Sequence, residues 1–162
     1  MSWLKRLTRR KNQRGNAVVE ASFILVPLFG LTFLLLDLSM AMFVRSTLQN
    51  AVRQGVRYAI TGANDTGPCQ DDSIKAVVKA NAFGFLNTTS AAATMHVHFI
   101  NPVSGALSSN AYGNIVGVTV EGLPFTPWAP YQHSAASVPL YARAYDMMEA
   151  VPQPLPCITT KE

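Results

Sequence analysis

The residues whose types and spacing could do chemistry gather near the N-terminus, in Arg14-Gly15-Asn16-Ala17-Val18-Val19-Glu20-Ala21. A basic leader ends there in glycine, and a glutamate follows five residues later at the mouth of an apolar run. An ionisable group inside a membrane helix costs about 2.5–3.5 kcal/mol at mid-bilayer and less toward the interface, which makes Glu20 a candidate functional group. The competing reading is an interfacial glutamate, favoured by the helix dipole and solvated by headgroups. A second acid, Asp37, lies midway along the same run. Cys69 and Cys157 are too far apart for a C-x-x-C redox motif, and two thiols alone do not make a structural zinc site. Both follow the apolar run on the side expected to be translocated, where an oxidising compartment favours a disulfide between them over two buried free thiols.

Other candidates carry less. His96 and His98 share one strand face and His133 could approach them, but no acid or cysteine nearby completes a chelating pattern, so no metal is expected. Asn87-Thr88-Thr89 matches a three-residue glycosylation pattern that arises often by chance. Trp128 and Tyr131, among Pro124, Pro127 and Pro130, read as a core cap under a rigid loop rather than as an exposed contact patch. There is no phosphate-binding Gly-rich loop with Lys-Ser/Thr, no Gly-x-Ser-x-Gly and no His-Glu-x-x-His, and Asp71-Asp72 reads as helix capping. The chain is therefore expected not to be an enzyme and to need no cofactor.

The elements that position these residues follow from composition. Of 162 residues only 14% are charged, although 49% are hydrophobic. The deficit of charge has an address, because Asp37 is the single charged residue between Ala21 and Val44. Those 24 residues would rise about 36 Å as a helix, enough to span a bilayer core of about 30 Å. Six of the 13 basic residues (Lys5, Arg6, Arg9, Arg10, Lys11 and Arg14) precede the run with no acid among them. By the positive-inside rule this cluster stays cytoplasmic and the rest is translocated. An ordinary secretory signal fits poorly, since its apolar core is shorter and ends in a small-x-small site. From Asn16 onward seven basic residues face nine acidic ones, so the folded part lacks the basic surface of a nucleic-acid binder.

Helical spacing continues past the apolar run. Leu48, Ala51, Val52, Gly55 and Ala59 fall on one face, and Arg45, Gln49, Arg53 and Arg57 ride on another as a solvated stripe or a contact with headgroups or a sister subunit. Asn16 to about Thr61 thus reads as one helix of about 70 Å, with Pro27 as a tolerated kink site and Gly62 as its stop. A short helix is predicted over Ser73–Phe83, capped by Asp72 or Ser73, with Ile74, Val77, Val78 and Ala82 buried. Strands are predicted at Met95–Ile100, Asn114–Glu121 and Ser137–Met148, the last with Val138, Leu140, Ala142 and Ala144 inward. The tail Val151-Pro-Gln-Pro-Leu-Pro-Cys157 reads as extended.

Gln13-Arg-Gly-Asn-Ala-Val-Val-Glu20, the apolar stretch, and Leu48-Gln-Asn-Ala-Val-Arg-Gln-Gly-Val-Arg-Tyr-Ala59 together resemble the TadE-like pseudopilins, minor subunits of the tight-adherence (Tad) type IV pilus. The resemblance covers about Gln13 to Gly62. It implies that a membrane aspartyl prepilin peptidase cuts between Gly15 and Asn16, with Glu20, at the fifth mature position, as the recognition residue. Asp37 occupies about the place of an acid common along the family's helix. Ala21 stands where the family usually has Phe or Tyr, and Gln54 where it often has an acid. About 100 residues beyond the helix suit a minor subunit better than the very short major pilin.

The expected protein is α+β and pilin-like: a basic cytoplasmic leader (1–15), a long helix (16–62) with its transmembrane part at 21–44, and an exported domain (63–162) with a short helix and a three-stranded antiparallel sheet. The implied function is that of a Tad-pilus minor pilin, an inner-membrane precursor needed for pilus assembly and surface adherence. Its implied partners are the prepilin peptidase, other Tad pilins and pseudopilins, the inner-membrane assembly platform and the lipid bilayer, and no nucleic acid. Its implied place is the bacterial inner membrane, single-pass, with the C-terminal domain periplasmic and at the cell surface once assembled. Two alternatives differ from this reading: an unprocessed membrane-anchored assembly factor, and a signal-anchored periplasmic module that captures a ligand in a concave apolar pocket.

Overall fold

The computed structural model describes residues 13–63, 69–87, 94–127 and 137–149. Five elements follow in order: α1 (Gln13–Ile60), α2 (Gln70–Asn81), β1 (Met95–Ile100), β2 (Ile115–Phe125) and β3 (Val138–Met147). The strands form one antiparallel sheet in the order β1-β2-β3, so the fold is α+β as expected. The C-terminal third of α1 lies over β2 and β3, and α2 lies beside α1 toward β1.

The core is the meeting of two periodicities. At helical spacing α1 buries Leu48, Ala51, Val52, Val56 and Ala59, and α2 buries Ile74 and Val78. At a spacing of two, Met95, Val97 and Phe99 of β1 meet Val116, Val118 and Val120 of β2 and Leu140 and Ala142 of β3 on the same sheet face. Successive strand side chains point to opposite faces, so this face packs under the helices while His96, His98, Tyr141, Arg143 and Tyr145 take the other. Gly117 lies opposite Tyr145 on that outer face, and a Cβ there would run into the Tyr145 ring.

Gly55 brings the two helices together. A Cβ added to it would overlap Val78 Cγ2 and lie 3.5 Å from Ile74 Cγ2, so α2 rests directly on the backbone of α1. Gln70 Nε2 donates to the Ala59 carbonyl at 3.2 Å, and Asn110 Nδ2 donates to Gln70 Oε1 at 3.1 Å, both in buried positions. This chain of hydrogen bonds ties the end of α1, the start of α2 and the β1–β2 loop into one unit.

Several boundaries differ from the expectation: α1 begins at Gln13 rather than Asn16, β2 begins and β3 begins and ends one residue inside the expected spans, and three differences have a visible cause. The short helix starts at Gln70 rather than Ser73, with Cys69 at its N-cap and no side-chain cap. Asp71 and Asp72 sit within its first turn, where the helix dipole favours them, rather than capping it. Burial of Gln70 against α1 supplies the tertiary contact that lengthens the helix. Its end comes at Asn81 rather than Phe83, because Phe83 turns to a left-handed φ of 49°. The second strand continues past Glu121 to Phe125 through one extra residue between Val120 and Leu123. That bulge is accommodated by Gly122 at φ 69°, a conformation that glycine adopts without a Cβ penalty. Val138, expected inward, is exposed at the open end of β3, and Val77 is half-buried.

Candidate membrane and assembly segment

One unbroken helix carries every residue of the N-terminal constellation. Gly15 and Glu20 both lie in α1 and are exposed, and nothing lies within 4 Å of a Cβ built on Gly15. Five residues of helix separate Gly15 from Glu20 by about 7.5 Å along the axis. Asp37 is half-buried about 25 Å beyond Glu20. The two acids therefore lie at separate levels of the helix rather than as a pair.

Between them the helix is apolar and uncovered. Phe23 is 77% exposed and Val26 is 69% exposed, and the large apolar residues from there to Phe43 are exposed as well, apart from half-buried Phe33. Transfer of one such side chain from water is worth about 1.5–3 kcal/mol, so the stretch as a whole demands an apolar environment. The few polar side chains in it are quenched within the helix. Ser22 Oγ donates to the Val18 carbonyl at 2.8 Å, Thr32 Oγ1 to Leu28 at 2.8 Å and Ser39 Oγ to Leu35 at 2.7 Å. A hydroxyl satisfied by its own helix can enter lipid without leaving a donor unpaired. Pro27 sits inside the helix and lacks an N–H, a loss membrane helices tolerate.

The change from uncovered to buried is abrupt. Val44 is the first α1 residue in the core, one position after exposed Phe43, and the arginine stripe follows. Arg45, Arg53 and Arg57 are exposed, while Gln49 Nε2 reaches β3 and donates to the Arg143 carbonyl at 2.8 Å. Sequence reasoning placed Gln49 on the solvated stripe and missed this clasp on the outer strand of the sheet. It also missed Gln70 and Asn110, whose pairing depends on residues far apart in the chain.

The remaining candidates separate. The rings of His96 and His98 stack with centroids 6.0 Å apart, and Thr119 Oγ1 lies 3.4 Å from His98 Nε2. No group of three metal-ligating side chains occurs among the described residues, and His133 lies outside them. Cys69 is disulfide-bonded, and the chain's other cysteine, Cys157, lies outside the described residues. So do Trp128, Tyr131, Thr88, Thr89 and the leader residues 1–12. Two clefts of about 320 and 410 Å³ lie between α1 and β3. Polar and charged side chains such as Arg45, Gln49, Arg53, Arg57 and Arg143 outnumber the apolar ones in their lining, so neither is the apolar pocket of a ligand-binding module.

The fold and this segment together define a class: a small α+β head built on the second half of a helix whose first half is long and apolar enough to cross a membrane. Residues 15–57 match the model of the TadE-like protein family, the family that the sequence resembles. The matched span opens on Gly15, contains Glu20 and Asp37, and closes at Arg57, within the part of α1 that packs on the sheet. No curated protein and no solved structure matches the chain.

Proposed function

We propose that this chain is a minor pilin, or pseudopilin, of a tight-adherence pilus. The observation that carries the reading is the unbroken α1, in which a TadE-like segment runs from an uncovered apolar half straight into the core of the head. The protein is made as an inner-membrane precursor with residues 1–15 cytoplasmic, residues 21–44 in lipid and residues 63–162 exported. A prepilin peptidase cuts between Gly15 and Asn16, using Glu20 for recognition. A disulfide between Cys69 and Cys157 holds the C-terminal tail to the head.

The physical logic of assembly is a change of apolar surroundings. An apolar helix withdrawn from lipid needs another apolar environment, and a bundle of sister helices supplies one. Cleavage removes all six basic residues of the leader, which lowers the cost of withdrawal. The new amine of Asn16 carries positive charge, and Glu20 of a neighbouring pilin neutralises it, setting axial register through a poorly solvated pair. Rigid continuity of α1 with the core makes the head follow the helix into the filament.

The test is the intact mass of the protein in cells with and without the cognate prepilin peptidase. Peptidase-dependent loss of Met1–Gly15 supports the reading. A full-length chain in both strains refutes it and leaves a fixed membrane component.

A further inference from the structure

The head ends toward the membrane in an aromatic turn. Three contacts show that α2 descends antiparallel to α1: Gln70 bonds to Ala59, Ile74 and Val78 lie against Gly55, and the Phe85 ring meets Phe43 edge-on with centroids 6.4 Å apart. From Ala59 down to Phe43 this is a descent of about 24 Å. Phe43 is the last exposed apolar residue before the core begins at Val44. With Glu20 at the cytoplasmic interface, Phe43 lies about 35 Å along the helix, just past a hydrocarbon core of about 30 Å. Phe85 is therefore held at the level of the opposite interface.

Phe83 stands beside it and is 80% exposed. Among the described residues it is the one non-glycine residue with positive φ, a strained choice for an aromatic side chain. The turn folds Leu86 fully into the core and leaves Phe83 outside. Lys79 lies one helical turn before Phe83, and Arg45, at nearly the same level of α1 as Phe43, is exposed on the side of β3. Aromatic residues with cations next to them suit the layer where acyl chains meet phosphates.

We propose that the turn Phe83–Leu86 is a lipid-contact wedge through which the head rests on the non-cytoplasmic face of the bilayer that α1 crosses, with Phe83 inserted at the headgroup boundary. This rests on the membrane-anchored reading above. The wedge fixes the height of the head over the bilayer before assembly, and withdrawal of the helix must also pull Phe83 out of lipid.

The test uses the full chain reconstituted in vesicles of phosphatidylethanolamine and phosphatidylglycerol. A benzophenone amino acid replaces Phe83, Leu34 or Tyr112 in turn, and adducts are identified by intact mass after illumination. Leu34 lies in the uncovered part of α1, and Tyr112 is exposed in the β1–β2 loop, which Asn110 ties to the far end of the head. The proposal expects phospholipid adducts at positions 83 and 34, and about tenfold less at position 112. Adducts at 34 but none at 83, or crosslinks from 83 to a second protein chain instead of lipid, overturn the wedge and leave the anchor standing. Absence of lipid adducts at 34 refutes the anchored reading and the wedge with it.

Discussion

Replacing Gly55 with alanine tests whether α2 is seated on the backbone of α1. On helix propensity alone the change stabilises α1 by about 1 kcal/mol. The added Cβ, however, overlaps Val78 Cγ2, and Ile74 Cγ2 at 3.5 Å and the Ile74 carbonyl at 3.8 Å close the space beside it. Valine is stiff at χ1 within a helix, so α2 itself must shift. Overpacking of this kind costs about 2 kcal/mol, which leaves a net loss of about 1 kcal/mol. Val78→Ala removes the obstructing methyl and alone costs about 2 kcal/mol through lost burial and a cavity. In the double variant the new methyl of residue 55 fills part of that cavity. Its cost is expected near 1 kcal/mol, against about 3 kcal/mol if the two changes were independent. Hydrogen exchange of the amides of Gln70–Asn81, measured on the full chain in detergent micelles, reads these energies as changes in opening of α2. Increased protection in Gly55→Ala, together with additivity in the double variant, would refute the close packing of the two helices.

Three further outcomes are expected. Glu20→Val leaves membrane insertion intact but slows removal of the leader or blocks incorporation into pili; normal processing and normal pilus assembly in that variant contradict the role given to Glu20. Gln70→Ala strands the Asn110 amide in the interior, while the Ala59 carbonyl keeps the bond from Gly62 N–H, and lowers stability by about 1–3 kcal/mol, checked by denaturant resistance of the head to proteolysis. Cys157→Ser opens the loop expected to close from Cys69 and removes about 4–5 kcal/mol in the chain-entropy model, seen as a lower unfolding temperature that no longer responds to reductant.

What the chain order alone determined is the arrangement along one dimension. The stretch from Ala21 to Val44 is apolar on all sides, and that composition demands an apolar environment whatever the rest of the chain does. The residues at helical spacing that follow, Leu48, Ala51, Val52, Gly55 and Ala59, are all buried, because a stripe of period 3.6 has one way to leave water. The first strand ends where its alternation ends, at Met95 and Ile100. Gly15, Glu20 and Asp37 could be singled out for the same reason, since the roles expected of them depend on position along one helix.

Tertiary structure decided what depends on two distant pieces of chain meeting. The early start of α2 comes from Gln70 reaching Ala59 and Asn110, and a buried glutamine carries no signal before its partners are known. Gly122-Leu123-Pro124 reads locally as a strand-ending turn, but pairing with β3 carries β2 through it as a bulge. Gly55 falls on the apolar stripe of α1, yet only the fold supplies Val78 as the neighbour it touches. Phe83 reads as the last residue of the short helix, and only the fold shows it exposed in a left-handed turn at the end of α2 that approaches Phe43. Local periodicity dictates which face of an element leaves water, while the identity of what covers that face is a property of contacts across the whole chain.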